Sequence, residues 1–178
     1  MPPGSLHVTG SDDLELHLLE WSSAGVPMLL LHGFGNEAHI WDDFSPQVAR
    51  HYRVLALDLR GHGESAWDPE GRYDYENHLA DLDALTTALG IERMVLVGHS
   101  LGGRISMLYA GRNPEKLAGL VIVDSAPELD ARGIVRIRAE VGEQRDPSFA
   151  SVAEYENLLA HNYRPPPPKP CGGWRATA

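Results

Sequence analysis

The chain has 178 residues, enough for one domain with a real core, and its 43% hydrophobic and 22% charged content reads as soluble and globular. A formal net charge of -10 disfavours nucleic acid and anionic membranes as partners. The single cysteine, Cys171, excludes an internal disulfide, no apolar run approaches the ~20 residues of a membrane span, and Met1-Pro2-Pro3-Gly4 lacks the basic and apolar regions of a signal peptide, so the expected setting is cytoplasmic.

Leu6-His7-Val8 and Leu14-Glu15-Leu16-His17-Leu18 are short candidate strands, with Ser11-Asp12-Asp13 fitting a hairpin between them. The second alternates apolar and polar residues, the pattern of a half-buried strand. From residue 26 the pattern changes to four unbroken apolar runs, Met28–Leu31, Val54–Leu57, Met94–Val97 and Leu120–Val123. Runs without alternation are expected to be buried on both faces, as in a parallel sheet covered by helices. The segments between them show helical spacing. Trp41, Phe44 and Val48 stand at i, i+3 and i+7; Leu79, Leu82, Leu85 and Leu89 form a longer stripe; Asn113-Pro114 closes a helix that begins after Ser100. This repetition predicts an α/β fold, a doubly wound and mostly parallel sheet flanked by helices. The four runs end at His32-Gly33, Asp58, Gly98-His99-Ser100 and Asp124. Ligand sites of such sheets lie at the carboxyl ends of the strands, so these groups are expected to converge on one sheet edge.

Gly98-x-Ser100-x-Gly102 lies between an apolar run and a helical segment, where the pattern carries chemistry. A sharp strand-to-helix turn lifts the serine Oγ above the sheet, and Gly98, Gly102 and Gly103 supply the small flanks that such a turn tolerates. The helix that follows aims free N–H groups and its positive dipole end at a developing oxyanion.

Three stretches in this order, His32-Gly33-Phe34-Gly35, Asp58-Leu59-Arg60-Gly61-His62-Gly63-Glu64-Ser65 and Gly98-His99-Ser100-Leu101-Gly102-Gly103, resemble the α/β-hydrolase superfamily, in its esterase and lipase-like branch, over about residues 5–163. The resemblance implies Ser100 as nucleophile and the backbone N–H groups of Leu101 and Phe34 as the oxyanion hole. It implies that His32 holds the oxyanion turn and that His99 packs away from Ser100. Asp58 and Arg60 are expected to tie the glycine-rich loop by a charge-assisted bond, with His62 outside the catalytic set. No cofactor is implied, no metal spacing is visible among the nine histidines, and no phosphate loop exists.

A serine nucleophile needs a histidine base and an acid to orient it, in the chain order Ser, acid, His. Downstream of Ser100 the only histidine is His161, in a helical segment rather than a post-strand loop, which reads as an ordinary surface residue. Asp124 ends the fourth run and is the candidate acid, with a structural role in the loop as the alternative. The expected organisation is a core over 1–127, a partial helical cap over 128–163 and a Pro-rich disordered tail over 164–178. In the cap, Ile134, Ile137 and Val141 share a face, and Ser151-Val152-Ala153-Glu154 is a capping box opening a helix with Val152, Tyr155 and Leu159. The tail contains Arg164-x-x-Pro167-x-x-Pro170, a spacing that any proline run produces easily. The family pattern stops within the cap, so the expectation is a C-terminally truncated chain. The expected function is a serine hydrolase acting on a small-molecule carboxylic ester or related acyl substrate through an acyl-enzyme. An acyltransferase on the same fold and a non-catalytic fragment or ligand-binding member are the alternatives.

Overall fold

The apolar runs become neighbouring strands because each is flanked by polar turns and too short to bury itself any other way. The computed structural model describes residues 2–127 and positions 150, 151, 153, 154 and 157. The strands are β1 (Gly4–Thr9), β2 (Glu15–Glu20), β3 (Val26–Leu31), β4 (Tyr52–Leu57), β5 (Met94–His99) and β6 (Leu117–Val123), in the sheet order β1-β2-β4-β3-β5-β6. β1–β2 and β2–β4 pair antiparallel, whereas β4–β3, β3–β5 and β5–β6 are parallel. The chain leaves β3 first toward β4 and later toward β5, so the order reverses at β3, where ligand crevices form in open parallel sheets.

Three helices join these strands: α1 (Ser45–Val48), α2 (Tyr75–Ala88) and α3 (Leu101–Arg112). Alternation along the strands sends Leu29, Leu31, Leu55, Leu57 and Leu96 to the face covered by Leu79, Leu82 and Leu85 of α2 and Ile105 and Tyr109 of α3. Leu30, Val54, Ala56 and Val97 point the other way, onto Ala38 and Trp41. Each fully buried leucine contributes roughly 1.5–3 kcal/mol. Asp74 caps α2 by accepting the Asn77 N–H at 3.0 Å, and α3 ends at Asn113-Pro114 as its spacing predicts.

Several expectations need correction. β2 is not half-buried: residues 16–19 are all buried, including His17 at 1% exposure, because β2 lies between β1 and β4 and His17 finds polar partners there. Trp41, Phe44 and Val48 do not share one helix; a 3-10 turn over Ala38–Trp41 precedes the short α1, which opens at Ser45-Pro46. The outermost described strand, β6, is not buried on both faces, since Leu120, Val121 and Val123 are 40–47% exposed. Among the described residues only β5 pairs with it.

Asp58 and Arg60 do not pair. Asp58 accepts the Ala38 N–H at 2.6 Å, the Glu64 N–H at 3.0 Å and the Nδ1–H of His17 at 2.7 Å. Arg60 has no exposed side-chain surface and reaches the other way, donating through Nε and Nη2 to the two oxygens of Asp81 at 2.6 and 2.7 Å. Its Nη1 donates to the Arg72 carbonyl at 2.8 Å. The planar guanidinium thus bolts the loop after β4 to α2.

The chain divides into two compact units, Met1–Glu128 and Leu129–Ala178. In the second, the Glu154 N–H donates to Ser151 Oγ at 3.3 Å and the Glu154 carboxylate accepts from the Ala150 N–H at 2.8 Å, one residue before the capping-box position. The expected helix faces over 134–141 and 152–159, His161 and the tail over 164–178 lie outside the described residues. No described helix is long and apolar enough to cross a membrane.

Replacing Asp81 with Ala leaves the Arg60 guanidinium buried without its bidentate partner. Removing one member of such a pair costs about 3–5 kcal/mol. Urea unfolding of Asp81→Ala should show that loss as a lower midpoint at an unchanged m-value.

Candidate active site

Pairing of β3 with β5 runs to Leu31↔Gly98, so both strands release the chain at the same height of the sheet. The turn after β5 holds Ser100 at φ 50° and ψ −111°. That region suits glycine and costs another residue of order 1–3 kcal/mol, strain that persists only where the surroundings impose it. They do so here: the Ser100 N–H donates to the Val123 carbonyl at 3.0 Å, and the Gly102 N–H donates to the His32 carbonyl at 3.1 Å. A Cβ on Gly102 would lie 2.7 Å from that carbonyl oxygen, so the helix start can seat itself against the β3 exit only without a side chain.

The turn after β3 abuts this elbow. A Cβ on Gly33 would meet the Ser100 Cβ at 3.1 Å. The next residue, Phe34, has a 60% exposed side chain. Among the described residues, neither the Phe34 nor the Leu101 N–H donates a hydrogen bond. His32 holds the turn as expected: its Nδ1–H donates to the Gly33 carbonyl at 2.7 Å, and its Nε2 accepts the Leu59 N–H at 3.0 Å. The Leu59 N–H fixes the tautomer, because it can only donate. Burial pulls the His32 pKa down to about 4, so the ring stays neutral at pH 7.

Asp124 follows β6 at the same edge. It stands at φ 48°, its side chain is 90% exposed, and Oδ2 lies 4.0 Å from His99 Nε2. His99 was expected only to pack. Its Nδ1 is indeed buried and without a partner among the described residues, but its Nε2 turns toward Asp124. The pattern along β5 gives no warning of this, since it depends on the β5–β6 register, which pairs His99 with Val123, the residue before Asp124. Arg104 of α3 secures the segment after Asp124, donating to the Ala126 and Pro127 carbonyls at 3.3 and 3.2 Å and to Tyr75 Oη at 3.0 Å.

Beside the elbow lies a cavity of about 780 Å³ lined by Phe34, His62, Trp67, Tyr73, Tyr75, His78 and Leu101, among others. Trp67 is 76% exposed and Tyr73 41%, so aromatic surface is held open to solvent at its rim. Single exposed apolar side chains are ordinary, but a cluster around a concave site marks a ligand surface. His62 is no base in this arrangement: its ring packs against Phe34 and His32, and its Nδ1–H donates to the Arg60 carbonyl at 3.0 Å. His78, missed by sequence reasoning because it reads as a polar position on a leucine-striped helix, is 4% exposed. Its Nδ1 has no partner among the described residues, and burial pulls its pKa to about 4.

This fold and edge belong to a defined class. The chain is a member of the alpha/beta hydrolase fold family, whose model matches residues 26–151. It is 40% identical to the dihydrolipoyllysine-residue acetyltransferase component of the acetoin cleaving system of Pseudomonas putida, over 61% of this chain and 30% of that protein. It is 38% identical to a fluoroacetate dehalogenase of a Burkholderia species, over 58% of this chain and 36% of that protein. An alpha/beta hydrolase from Novosphingobium aromaticivorans superposes with a TM-score of 0.80 at 35% identity, covering 90% of this chain and 56% of that one. The chain thus spans about a third of the length of these curated relatives.

His32 and His78 are neutral when folded but protonate near 6.5 when unfolded. The unfolded state therefore binds more protons between the two values, and stability rises with pH. Their contribution is complete above about pH 6.5 and is lost as pH falls toward 4, roughly 3 kcal/mol for each ring. Urea unfolding between pH 7 and 4 should show this decline, and His78→Leu should remove about half of the slope.

Proposed function

We propose that the chain carries the nucleophile half of a serine hydrolase acting on a carboxylic ester or related acyl substrate. The observation that carries the reading is Ser100 on a strained strand-to-helix turn, φ 50°, against the Gly33-Phe34 turn. The comparisons give the family, whose relatives differ in reaction. The side chain at the turn is what favours acyl transfer here: a hydroxyl beside two backbone donors suits a tetrahedral oxyanion.

In this reading Ser100 Oγ attacks the acyl carbon and its proton passes to a histidine base. The carbonyl oxygen, now negative, takes hydrogen bonds from the Phe34 and Leu101 N–H groups, each worth about 3 kcal/mol in the transition state. The leaving alcohol takes the proton from the base, and water repeats the sequence to free Ser100. Asp124 is the acid that orients the base. Among the described residues no histidine hydrogen-bonds to Ser100, so the base reaches it from outside them. The aromatic cavity beside Phe34 favours an apolar group on the acyl or alcohol side. Small-molecule substrate, no nucleic acid, no membrane and a cytoplasmic setting form part of the same reading, supported by the net charge and the lone cysteine.

Transfer of the acyl group to an alcohol or thiol instead of water is the second reading, favoured by the acetyltransferase component among the relatives. Product analysis with an added acceptor separates the two.

The 178-residue chain should turn over a short-chain aryl ester only at the residual level of an oxyanion hole without its base, some 10³–10⁴-fold over water. Ser100-dependent turnover within about tenfold of an ordinary esterase would mean that this chain carries its own base, His161 first. In a form extended to the length of the relatives, Ser100→Ala should lower kcat by on the order of 10⁴-fold or more and abolish the acyl adduct seen by intact mass. An adduct surviving that substitution overturns the assignment.

A further inference from the structure

On the far side of β2 from the leucine core, β1 and β2 place His7 directly opposite His17, with ring centroids 5.2 Å apart. The loop after β4 brings Glu64 to the same place, because the Glu64 N–H is held by the Asp58 carboxylate that also accepts from His17. One ligand-capable atom from each of His7, His17 and Glu64 lies within 4.8 Å of the others. We propose that these three residues form a binding site for a divalent transition metal, Zn²⁺ by the chemistry of the set, that clips the β1–β2 hairpin to the loop after β4.

The orientation of the His17 ring supports this. His17 Nδ1–H donates to Asp58 Oδ2 at 2.7 Å, which leaves Nε2 with its lone pair outward, accepting the Ser5 hydroxyl at 2.9 Å. A carboxylate behind a histidine fixes the tautomer and the orientation of the ring. His7 is held more loosely: Glu15 Oε1 lies 3.5 Å from its Nδ1 in an exposed pair, so the ring is free to turn either nitrogen toward an ion. Two imidazole nitrogens and one carboxylate oxygen match Zn²⁺ and its first-row neighbours rather than Ca²⁺ or Mg²⁺, which take oxygen sets. A tetrahedral ion with Zn–N near 2.05 Å spaces its ligand atoms by roughly 3.3 Å, so binding draws the groups together by at most about 1.5 Å. His7 and Glu64 are exposed and free to make that movement, while buried His17 is the fixed point. An ion on His17 Nε2 takes the place of the Ser5 hydroxyl, which lies exposed on β1 and can turn away.

No spacing pattern could show this site. Its ligands come from two strands and a loop, and only the β1–β2 register and the Asp58 network bring them together.

The test uses the purified full chain, stripped with chelator, titrated calorimetrically with Zn²⁺ and spectroscopically with Co²⁺. One equivalent should bind, Co²⁺ should give visible absorption bands of low-symmetry nitrogen and oxygen ligation, and Zn²⁺ should raise the Tm by several degrees. His7→Gln and Glu64→Gln, both at exposed positions, should keep the fold by circular dichroism and weaken binding by about tenfold or more each. His51→Gln, an exposed histidine elsewhere, should leave binding unchanged. Failure to saturate by about 0.1 mM metal overturns the proposal. So does binding of equal strength in folded His7→Gln and Glu64→Gln, which would assign the ion to other histidines.

Discussion

The parallel ladder between β3 and β5 decides where chemistry is possible in this molecule. Because Leu31 pairs with Gly98, the His32-Gly33-Phe34 turn and the His99-Ser100-Leu101 turn leave the sheet side by side. A slip of two residues would part them by about 6.6 Å, too far for the Phe34 and Leu101 N–H groups to share one oxygen atom as the proposed mechanism requires. Everything near the edge is built to keep that register. Gly102 seats against the carbonyls of β3, Gly33 seats against Ser100, and His32 crosses to the Leu59 backbone. The neutral state of His32 belongs to the same device, since a protonated ring could not accept from Leu59.

A second framework, wholly polar, supports the β4 exit. Asp58 gathers β2, the Ala38 turn and the Glu64 loop, while Arg60 leaves in the opposite direction for α2. Two charges separated only by Leu59 thus serve separate anchors. A loop backbone lacks the period-2 alternation of a strand, so residues two apart need not face the same way, and each charge found the partner whose desolvation it could offset. Ser100 and Asp124 stand at the ends of β5 and β6, held there by the Ser100 N–H bond to the Val123 carbonyl and by Arg104 on the segment after Asp124, a setting in which left-handed backbone persists outside glycine.

Much of this was legible in the sequence. The strands of the parallel sheet announced themselves as unbroken apolar runs, α2 as its leucine stripe, and the elbow as small residues around Ser100, because burial and close approach leave few alternatives at those positions. What could not be read shares one cause: it depends on register or on partners distant in the chain. The burial of His17 follows from β2 lying inside the sheet, the Arg60–Asp81 pair from the path of a loop, and the proximity of His99 to Asp124 from the β5–β6 register. The break in the segment holding Trp41, Phe44 and Val48 was signalled by Ser45-Pro46, since proline favours a first helical turn and is resisted within one.

The strand order has a further consequence, for the chain as it is made. β2 and β3 are consecutive in sequence but not in the sheet; β4 lies between them. A ribosome delivers β2 and β3 before β4, and at about 5–20 residues per second the intervening chain takes a few seconds to appear. For that interval both nascent strands present bare edges, one bearing Leu16 and Leu18 and the other Leu29, Leu30 and Leu31. The hairpin with β1 is the one shelter available locally, and it covers a single edge of β2. Insertion of a late strand between two early ones makes the first third of this polypeptide a natural client for whatever guards apolar segments during translation.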